Sequence, residues 1–307
     1  MPTSAPSGQQ YEIRHGDLVA VVTEVGATLR SLTSGGADVL DGFALDEISP
    51  SSRGQVLAPW PNRLDGGRYA FGGRTGRAAL DEPSFGNAIH GLVRWLAWTE
   101  VSKAEDAVAL RCVLPSQPAY PWRLELEIDY RLSPEGLAVG VRATNASEVP
   151  SPFGIGFHPY LTVGVPVDEA VLTLPATRRF LTDERALPMG EEEVDGTAFD
   201  FRSARAIGDT QLDTCFTGVR RGDDGRWRVR VEAGSRGIEL WGDVGFGYVQ
   251  AYTGDTLEPV SSRRRAIAIE PMTCPPNALA TGRDLIALDP GASWSAAWGI
   301  SVPRGEA

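Results

Sequence analysis

Histidine and cysteine are scarce in this chain of 307 residues, which contains three of each. Cys112, Cys215 and Cys274 lie far apart, so they provide neither the disulfide framework of a small secreted protein nor the CxxC spacing of a zinc site. Cys112 falls in an alternating apolar segment and is expected in the core. A chain without a disulfide pattern is typical of the reducing cytoplasm, which is the predicted location.

Long apolar runs and excess positive charge are also missing. No segment approaches the roughly 18 consecutive apolar residues that a membrane span needs. The formal net charge of -11 disfavours nucleic acid and anionic membranes as partners. Residues 1–10 are small and polar, which argues against a secretory signal and predicts a disordered tail. Residues 304–307 are predicted to form a second tail.

Several common site motifs are absent as well. The sequence has no P-loop, no GxGxxG opening a helix and no GxSxG elbow, so nucleotide binding and serine hydrolysis have no support. His90, His158, Asp213 and Glu270 have side chains that could ligate a metal. Because they lack the close His-x-His or HExxH spacing, neither a metal nor a cofactor is predicted.

Segments with a helical period are rare, because 35 glycines and 22 prolines are spread along the chain. Alternation with a two-residue period is common instead. Leu124–Leu132 and Leu137–Ala143 flank a turn, and Arg226–Val231 and Gly237–Trp241 flank another, which predicts two hairpins. No change of composition marks a boundary. The sequence therefore predicts an all-β protein with one large antiparallel β-sandwich over residues 11–303.

One predicted strand ends on an acid. The two-residue period puts Ala266, Ala268 and Glu270 on the same face. Small neighbours leave room for a ligand beside the carboxylate, and Pro271 restricts the backbone of Glu270. A general base at a strand end is one interpretation. A glutamate exposed to solvent at a sheet edge is the alternative, which this segment alone favours.

Two of the three histidines lie in unusual surroundings. His158 follows Gly154 and Gly156 on the same strand face, where missing side chains suit the close approach of a ligand. His90 is flanked by apolar residues and followed by a glycine, so it is either a binding residue or a core histidine satisfied by the backbone. His15 lies in a polar segment and is expected to be exposed.

Arg63 lies among Trp, Pro and Leu residues, where a guanidinium needs a partner if its charge is to be buried. That partner is either a structural carboxylate or a group on a ligand. Asp213 is an acid within a strand-like run and carries little signal alone.

Six short motifs follow one another along the chain: Asn62-Arg63, Ile89-His90-Gly91, Phe157-His158-Pro159-Tyr160, Leu212–Phe216, Val249–Gly254 and Ile269-Glu270-Pro271. Together they resemble the aldose 1-epimerase (galactose mutarotase) family over nearly the whole chain outside its tails. The segments around the first three motifs are most similar to the bacterial subgroup related to the sulfoquinovose-operon mutarotase. Each motif is weak alone, but six in this order are specific.

The resemblance implies a large antiparallel supersandwich with a sugar bound in a cleft on one sheet. It implies that Glu270 is the general base and His158 the general acid, and that no cofactor or metal takes part. The residues expected to bind and orient the sugar are His90, Arg63, Asp213 and Asn62. The sequence Phe-His-Pro-Tyr-Leu around His158 departs from the Asn-His-x-Tyr-Phe of galactose mutarotases, which leaves the preferred sugar open.

The implied reaction requires two groups at the anomeric centre. A base removes the proton of the C1 hydroxyl while an acid protonates the ring oxygen, and the opened ring recloses as the other anomer. Glu270 must then be ionised while His158 is protonated. Their reference pKa values of ~4.3 and ~6.5 predict a bell-shaped pH dependence.

Three functions stay open at this point. The first is a mutarotase of free hexoses, acting as a monomer or homodimer on a small sugar. The second is a sugar-binding or regulatory protein without catalysis. The third is an epimerase of a phosphorylated or sulfonated hexose, which needs an extra cation in the cleft. Arg94, four residues after His90, is the candidate for that cation, and a surface arginine is the alternative.

Overall fold

The computed structural model describes residues 5–303, and strands make up most of its regular structure. Those of the first half are β1 (Gln10–His15), β2 (Leu18–Thr23), β3 (Leu29–Ser34), β4 (Ala37–Asp38), β5 (Val56–Leu57), β6 (Arg63–Asp65), β7 (Arg68–Phe71), β8 (Arg74–Arg77), β9 (Asn87–Ile89), β10 (Thr99–Lys103), β11 (Ala107–Leu114), β12 (Leu124–Ser133) and β13 (Gly136–Asn145).

The strands of the second half are β14 (Ser151–Phe153), β15 (Gly156–Phe157), β16 (Tyr160–Leu161), β17 (Val171–Thr173), β18 (Ala176–Thr182), β19 (Pro188–Glu193), β20 (Arg205–Ala206), β21 (Asp213–Val219), β22 (Trp227–Ala233), β23 (Arg236–Gly242), β24 (Tyr248–Tyr252), β25 (Ile267–Met272), β26 (Ile286–Leu288) and β27 (Ser293–Ser301). Helices are short: 3-10 turns at Pro50–Ser52, Val167–Glu169 and Val260–Ser262, and α1 (Ala278–Thr281). Across residues 5–303, no helix is long and apolar enough to cross a bilayer.

Two large antiparallel sheets dominate the part of the chain that the structure describes. The nine-stranded sheet has the order β10-β11-β12-β13-β27-β23-β22-β17-β20. The eight-stranded sheet has the order β19-β18-β21-β24-β25-β15-β5, and β16 also pairs with β25. The predicted all-β antiparallel fold is confirmed, and so are both predicted hairpins, which are β12–β13 and β22–β23.

The two large sheets pack on each other through the apolar faces that the alternation predicts. In β12, Leu126 and Ile128 are buried while Glu127 between them is partly exposed. The ring centroids of Phe157 in the eight-stranded sheet and Trp298 in the nine-stranded sheet are 5.0 Å apart. These residues belong to one large apolar cluster that includes both sheets. The opposite face of the eight-stranded sheet is therefore free to carry polar side chains.

Two boundary predictions need correction. Residues 5–10 are not a loose tail, because the backbone of Ser7 accepts a hydrogen bond from Val25 at 3.0 Å and β1 begins at Gln10. Residues 1–4 and 304–307 lie outside the described residues, and the extent of the predicted domain stays a prediction. The strand β25 does not end on Glu270 but continues to Met272, because Met272 still pairs with both neighbouring strands.

Candidate active site

The register of β25 places His158 beside Glu270. β15 pairs with β25 at Gly156 and β16 pairs with it at Tyr160, so His158 lies midway between the two anchors. Glu270 lies on β25, two residues from the partner of each anchor. It points away from the sandwich core, because the isoleucines at the alternate positions of β25 fill that core. Antiparallel pairing thus brings together two groups that are 112 positions apart in the sequence.

The pair is in direct contact and almost completely buried. The distance from His158 Nε2 to Glu270 Oε1 is 3.4 Å, and the side chains are 6% and 2% exposed. Among the described residues, His158 Nδ1 and Glu270 Oε2 have no hydrogen-bond partner. Buried polar atoms without partners are uncommon, so the pair marks a candidate functional site. The sheet-edge alternative for Glu270 is wrong.

Burial also changes the proton affinity of both groups. It raises the pKa of Glu270 well above its ordinary value, and Asp213 raises it further, while Arg63 lowers it. Burial lowers the pKa of His158 to about 3, and the charges of Arg53 and Arg94 add to this. Desolvation penalises both charged forms, so burial opposes the carboxylate beside an imidazolium that the reference values predict.

This pair lies in a cleft of about 400 Å³ on the outer face of the eight-stranded sheet. The cleft also brings together the other residues singled out in the sequence, which are Asn62, Arg63, His90, Arg94 and Asp213. Phe85 and Tyr160 add aromatic surface. The volume suits a molecule somewhat smaller than a typical drug, such as a single sugar ring.

Arg63 is held from two sides by carboxylates. Its Nε lies 2.9 Å from Glu82 Oε2 and its Nη2 lies 3.0 Å from Glu82 Oε1, which is a bidentate contact. Nη1 and Nη2 reach Asp213 Oδ2 at 3.4 Å, and the guanidinium lies over the Phe85 ring. Of the two partners considered from the sequence, the structural carboxylate is present as Glu82, and a ligand group on Arg63 stays a prediction.

Asp213 connects this arginine to the strand pair that carries Glu270. Its Oδ1 accepts a hydrogen bond of 2.6 Å from Gln250 Nε2, and Gln250 is the direct cross-strand neighbour of Glu270. Sequence reasoning missed Gln250, although it lies within the motif Val249–Gly254 at the alternation that faces the cleft. It missed Glu82 too, for which the sequence gives no comparable signal.

Arg94 is not a free surface cation. It forms an ion pair with Asp81, its Nη1 lies 3.4 Å from Ser52 Oγ, and its side chain is only 13% exposed. Asp81 also accepts a hydrogen bond from the backbone of Ile89. The loop that supplies Asp81 therefore carries the counter-charge for Arg94 and, one residue later, the counter-charge for Arg63.

Asn62 and His90 are placed by strained backbone. Their φ angles are 54° and 63°, a region that residues with a side chain seldom adopt. The two are linked, since the His90 amide donates to the Asn62 carbonyl at 3.0 Å. Burial lowers the pKa of His90 well below its ordinary value, and His90 Nδ1 has no partner among residues 5–303. The interpretation as a core histidine satisfied by the backbone is thus not supported.

The bare strand before His158 serves packing rather than a ligand. A Cβ atom on Gly156 would lie 2.9 Å from Pro61 Cβ, and one on Gly154 would lie 2.5 Å from Cys274 Sγ. The ring of Pro61 occupies the space that was predicted for a ligand. The glycines matter because they let the segment with Asn62 approach the strand of His158.

The small-residue floor beside Glu270 is also covered. Ala266 and Ala268 are buried under Tyr160, Leu257 and Tyr252. The alanines therefore make room for aromatic side chains that wall the cleft, not for the ligand itself. Within the described part of the chain, no group of three or more His, Cys, Asp or Glu side chains is arranged to hold a metal ion.

The raised pKa of Glu270 predicts a measurable stability effect. Between the ordinary value of 4.5 and its folded value, the folded state binds more protons than the unfolded state, so stability is lost as pH rises. Glu270→Gln removes the group whose ionisation destabilises the folded state. We therefore expect the free energy of unfolding of this variant to exceed that of the wild type at about pH 7, and the difference to be much smaller at about pH 4. Urea titrations at both pH values test this.

Glu82→Gln is the matched control, because that carboxylate is ion-paired and its loss is expected to destabilise the protein at neutral pH. An equal difference in the free energy of unfolding between Glu270→Gln and the wild type at both pH values would contradict the raised pKa of Glu270.

Comparison with known proteins places the chain in a family. The family model for aldose 1-epimerase matches residues 9–301. The uncharacterized protein YihR of Escherichia coli strain K12 is 33% identical over 287 residues, which are 93% of this chain and 90% of that protein. The aldose 1-epimerase of the same strain is 26% identical over 295 residues, covering 85% and 84% of the two chains.

Solved structures show the same fold. The GalM/aldose epimerase homologue from C. elegans aligns with a TM-score of 0.85 at 21% identity, covering 96% of this chain and 99% of that one. Galactose 1-epimerase from Lactobacillus acidophilus aligns with a TM-score of 0.79 at 20% identity, covering 95% and 93%. With a family match over nearly its full length and a cleft built from the family's motifs, the chain belongs to the aldose 1-epimerase family.

Proposed function

We propose that this protein is a mutarotase that interconverts the α and β anomers of a hexose by acid–base ring opening and reclosure. The observation that supports it most is the buried contact between Glu270 and His158, each of which has one polar atom without a hydrogen-bond partner in residues 5–303. In this proposal Glu270 accepts the proton of the C1 hydroxyl and His158 protonates the ring oxygen. The ring bond breaks to give the open-chain aldehyde, and reclosure after rotation about C1–C2 reverses both transfers.

The proton count of the pair is compatible with these roles. A protonated Glu270 beside a neutral His158 holds one proton, and so does a carboxylate beside an imidazolium. The two forms differ only by a proton transfer across the 3.4 Å contact. A sugar hydroxyl that donates to Glu270 stabilises the carboxylate, which favours the form needed for ring opening.

The remaining cleft residues are proposed to hold the sugar hydroxyls. Arg63 supplies donors and Asp213 an acceptor, and their mutual contact fixes both before a sugar arrives. Asn62 and His90 complete the wall opposite the strand of Glu270. Pre-positioned groups of this kind keep the open-chain intermediate from moving away before it recloses.

The charges of the cleft favour a neutral sugar. Arg63 and Arg94 are both paired with carboxylates, and Glu258 and Glu270 add acidic groups to the lining. An anionic sugar would have to displace Asp81 to reach Arg94. The similarity to the sulfoquinovose-operon subgroup favours the alternative, an epimerase of a sulfonated or phosphorylated hexose, and stays a prediction. YihR, the relative at 33% identity, is uncharacterized.

Loss of either catalytic group should abolish most of the activity. We expect Glu270→Gln and His158→Asn each to lower kcat/KM by ~10²–10⁴-fold, because each removes one positioned proton transfer. Polarimetry of freshly dissolved α-glucose and α-galactose measures the rate. Glu127→Gln, on the nine-stranded sheet, is the control. A fully active Glu270→Gln variant would exclude Glu270 as the base, and an inactive wild type on a broad sugar panel would favour the non-catalytic alternative.

The pH dependence should be bell-shaped, with limbs set by burial. The active form carries one proton on the pair, so kcat/KM falls as pH drops towards the His158 pKa of about 3, where a second proton binds. It also falls as pH rises through the raised pKa of Glu270, where the last proton is lost. Rates across the range in which the protein stays folded test this. An acid limb near the ordinary histidine pKa would contradict it.

The paired charges of the cleft predict that the protein prefers neutral sugars to anionic ones. We expect the wild type to act faster on glucose than on glucose 6-phosphate, and Asp81→Asn to narrow that ratio because it frees the charge of Arg94. Arg94→Ala is the matched control, and it should not raise the rate on glucose 6-phosphate relative to the rate on glucose. Anomer-resolved NMR with both substrates provides the measurement. A wild type that prefers the anionic sugar would support the alternative function.

A further inference from the structure

The catalytic histidine is one member of an aromatic and cationic stack. The His158 and Tyr160 rings are nearly parallel, at 13° and with centroids 5.0 Å apart. The guanidinium carbon of Arg53 lies over the Tyr160 ring, 4.5 Å from its centroid. The edge of His90 meets His158 at 5.3 Å. The imidazole is thus held between a tyrosine face and a second histidine.

Tyr160 is fixed in place before it meets any ligand. Its backbone pairs with β25, its hydroxyl donates to the Ser51 carbonyl at 3.2 Å, and the residue is only 2% exposed. An imidazole and a guanidinium already lie over its ring. Although Tyr160 is at the wall of the cleft, little of its face is left for a sugar to stack on.

Arg53 does not line the cleft, although its guanidinium lies over the Tyr160 ring. Its side chain is 6% exposed, and its Nη2 contacts Asp41 Oδ2 at 3.0 Å. Asp41 has a second partner, because Arg265 reaches its Oδ1 at 2.9 Å. A buried arginine is costly unless it is paired, so this position is maintained by the carboxylate and not by the ligand.

We propose that Tyr160 and Arg53 are positioning residues for His158, which act through its imidazole and not on the sugar. This inference rests on the proposed function. Stacking on Tyr160 sets the plane of the ring so that Nε2 faces Glu270. The charge of Arg53, which lies over the tyrosine ring, disfavours a positive charge on the imidazole and makes the protonated His158 a stronger acid towards the ring oxygen.

Within residues 5–303, the charged and titratable groups near His158 are Glu270 on β25, His90 after β9, Tyr160 on β16, Arg53 after the 3-10 turn, and Arg94. Arg53 and Arg94 lower the pKa of His158, after burial as the first cause. Arg94 is neutralised by Asp81 at the cleft, whereas Arg53 shares its carboxylate with another arginine, so its charge is less compensated.

A histidine titration tests the role of Arg53 without an activity assay. The chain has three histidines, so single histidine variants assign the imidazole signals in NMR spectra. We expect Arg53→Gln to raise the pKa of His158. Arg265→Gln is the matched control, because it also removes one arginine from Asp41, and we expect it to leave the pKa of His158 unchanged. An unchanged His158 pKa in a folded Arg53→Gln variant would overturn the electrostatic role.

Kinetics test the role of Tyr160. We expect Tyr160→Leu to lower kcat by about 10- to 100-fold at nearly unchanged KM, because a displaced imidazole harms the proton transfer but not sugar binding. Tyr160→Phe keeps the ring and should retain most of kcat. A rise in KM with unchanged kcat would instead show that Tyr160 binds the sugar.

Failure of this inference is distinguishable from failure of the proposed function. If the wild type interconverts anomers and both Tyr160→Leu and Arg53→Gln are equally active, the positioning role is wrong and the proposed function is unaffected. If the wild type is inactive, or Tyr160→Leu fails to fold, the NMR comparison of Arg53→Gln with Arg265→Gln still decides whether Arg53 acts on His158.

Discussion

The buried contact between His158 and Glu270 is the interaction on which the cleft depends. Two strands meet the same side of β25 at Gly156 and Tyr160, and the residue between these anchors has to lie against Glu270. Backbone pairing therefore sets the placement of the two residues. The pairing also desolvates an acid and a base, which opposes the charged form of each.

Much of this could be predicted from the sequence, because it follows from the two-residue period. Alternation identified the core face of β12, both hairpins and the orientation of Glu270 away from the isoleucines. The family motifs identified residues that converge on one cleft. These patterns cannot predict that the outer face of β25 is buried, because Tyr160, Leu257 and Tyr252 cover its alanines through long-range contacts. For this reason the segment around Glu270, taken alone, favoured an exposed glutamate with an ordinary pKa.

The loop contributions were less predictable. Glu82 and Asp81 lie in an irregular segment, and nothing in the local sequence links them to arginines 19 and 13 positions away. The same applies to Arg53, whose contact with Tyr160 depends on the path of the chain between β4 and β5. Acidic residues in loops are common and most of them are solvated, so only the three-dimensional arrangement separates these two carboxylates from the rest.

The contact between Pro61 and the two glycines has a wider consequence. It joins the segment that carries Arg63 to the strand before His158 by apolar packing. A backbone hydrogen bond of 2.9 Å from the Gly154 amide to the Pro59 carbonyl joins the same two segments. Neither contact includes a titratable group, so the spacing that they set between the two segments does not depend on pH.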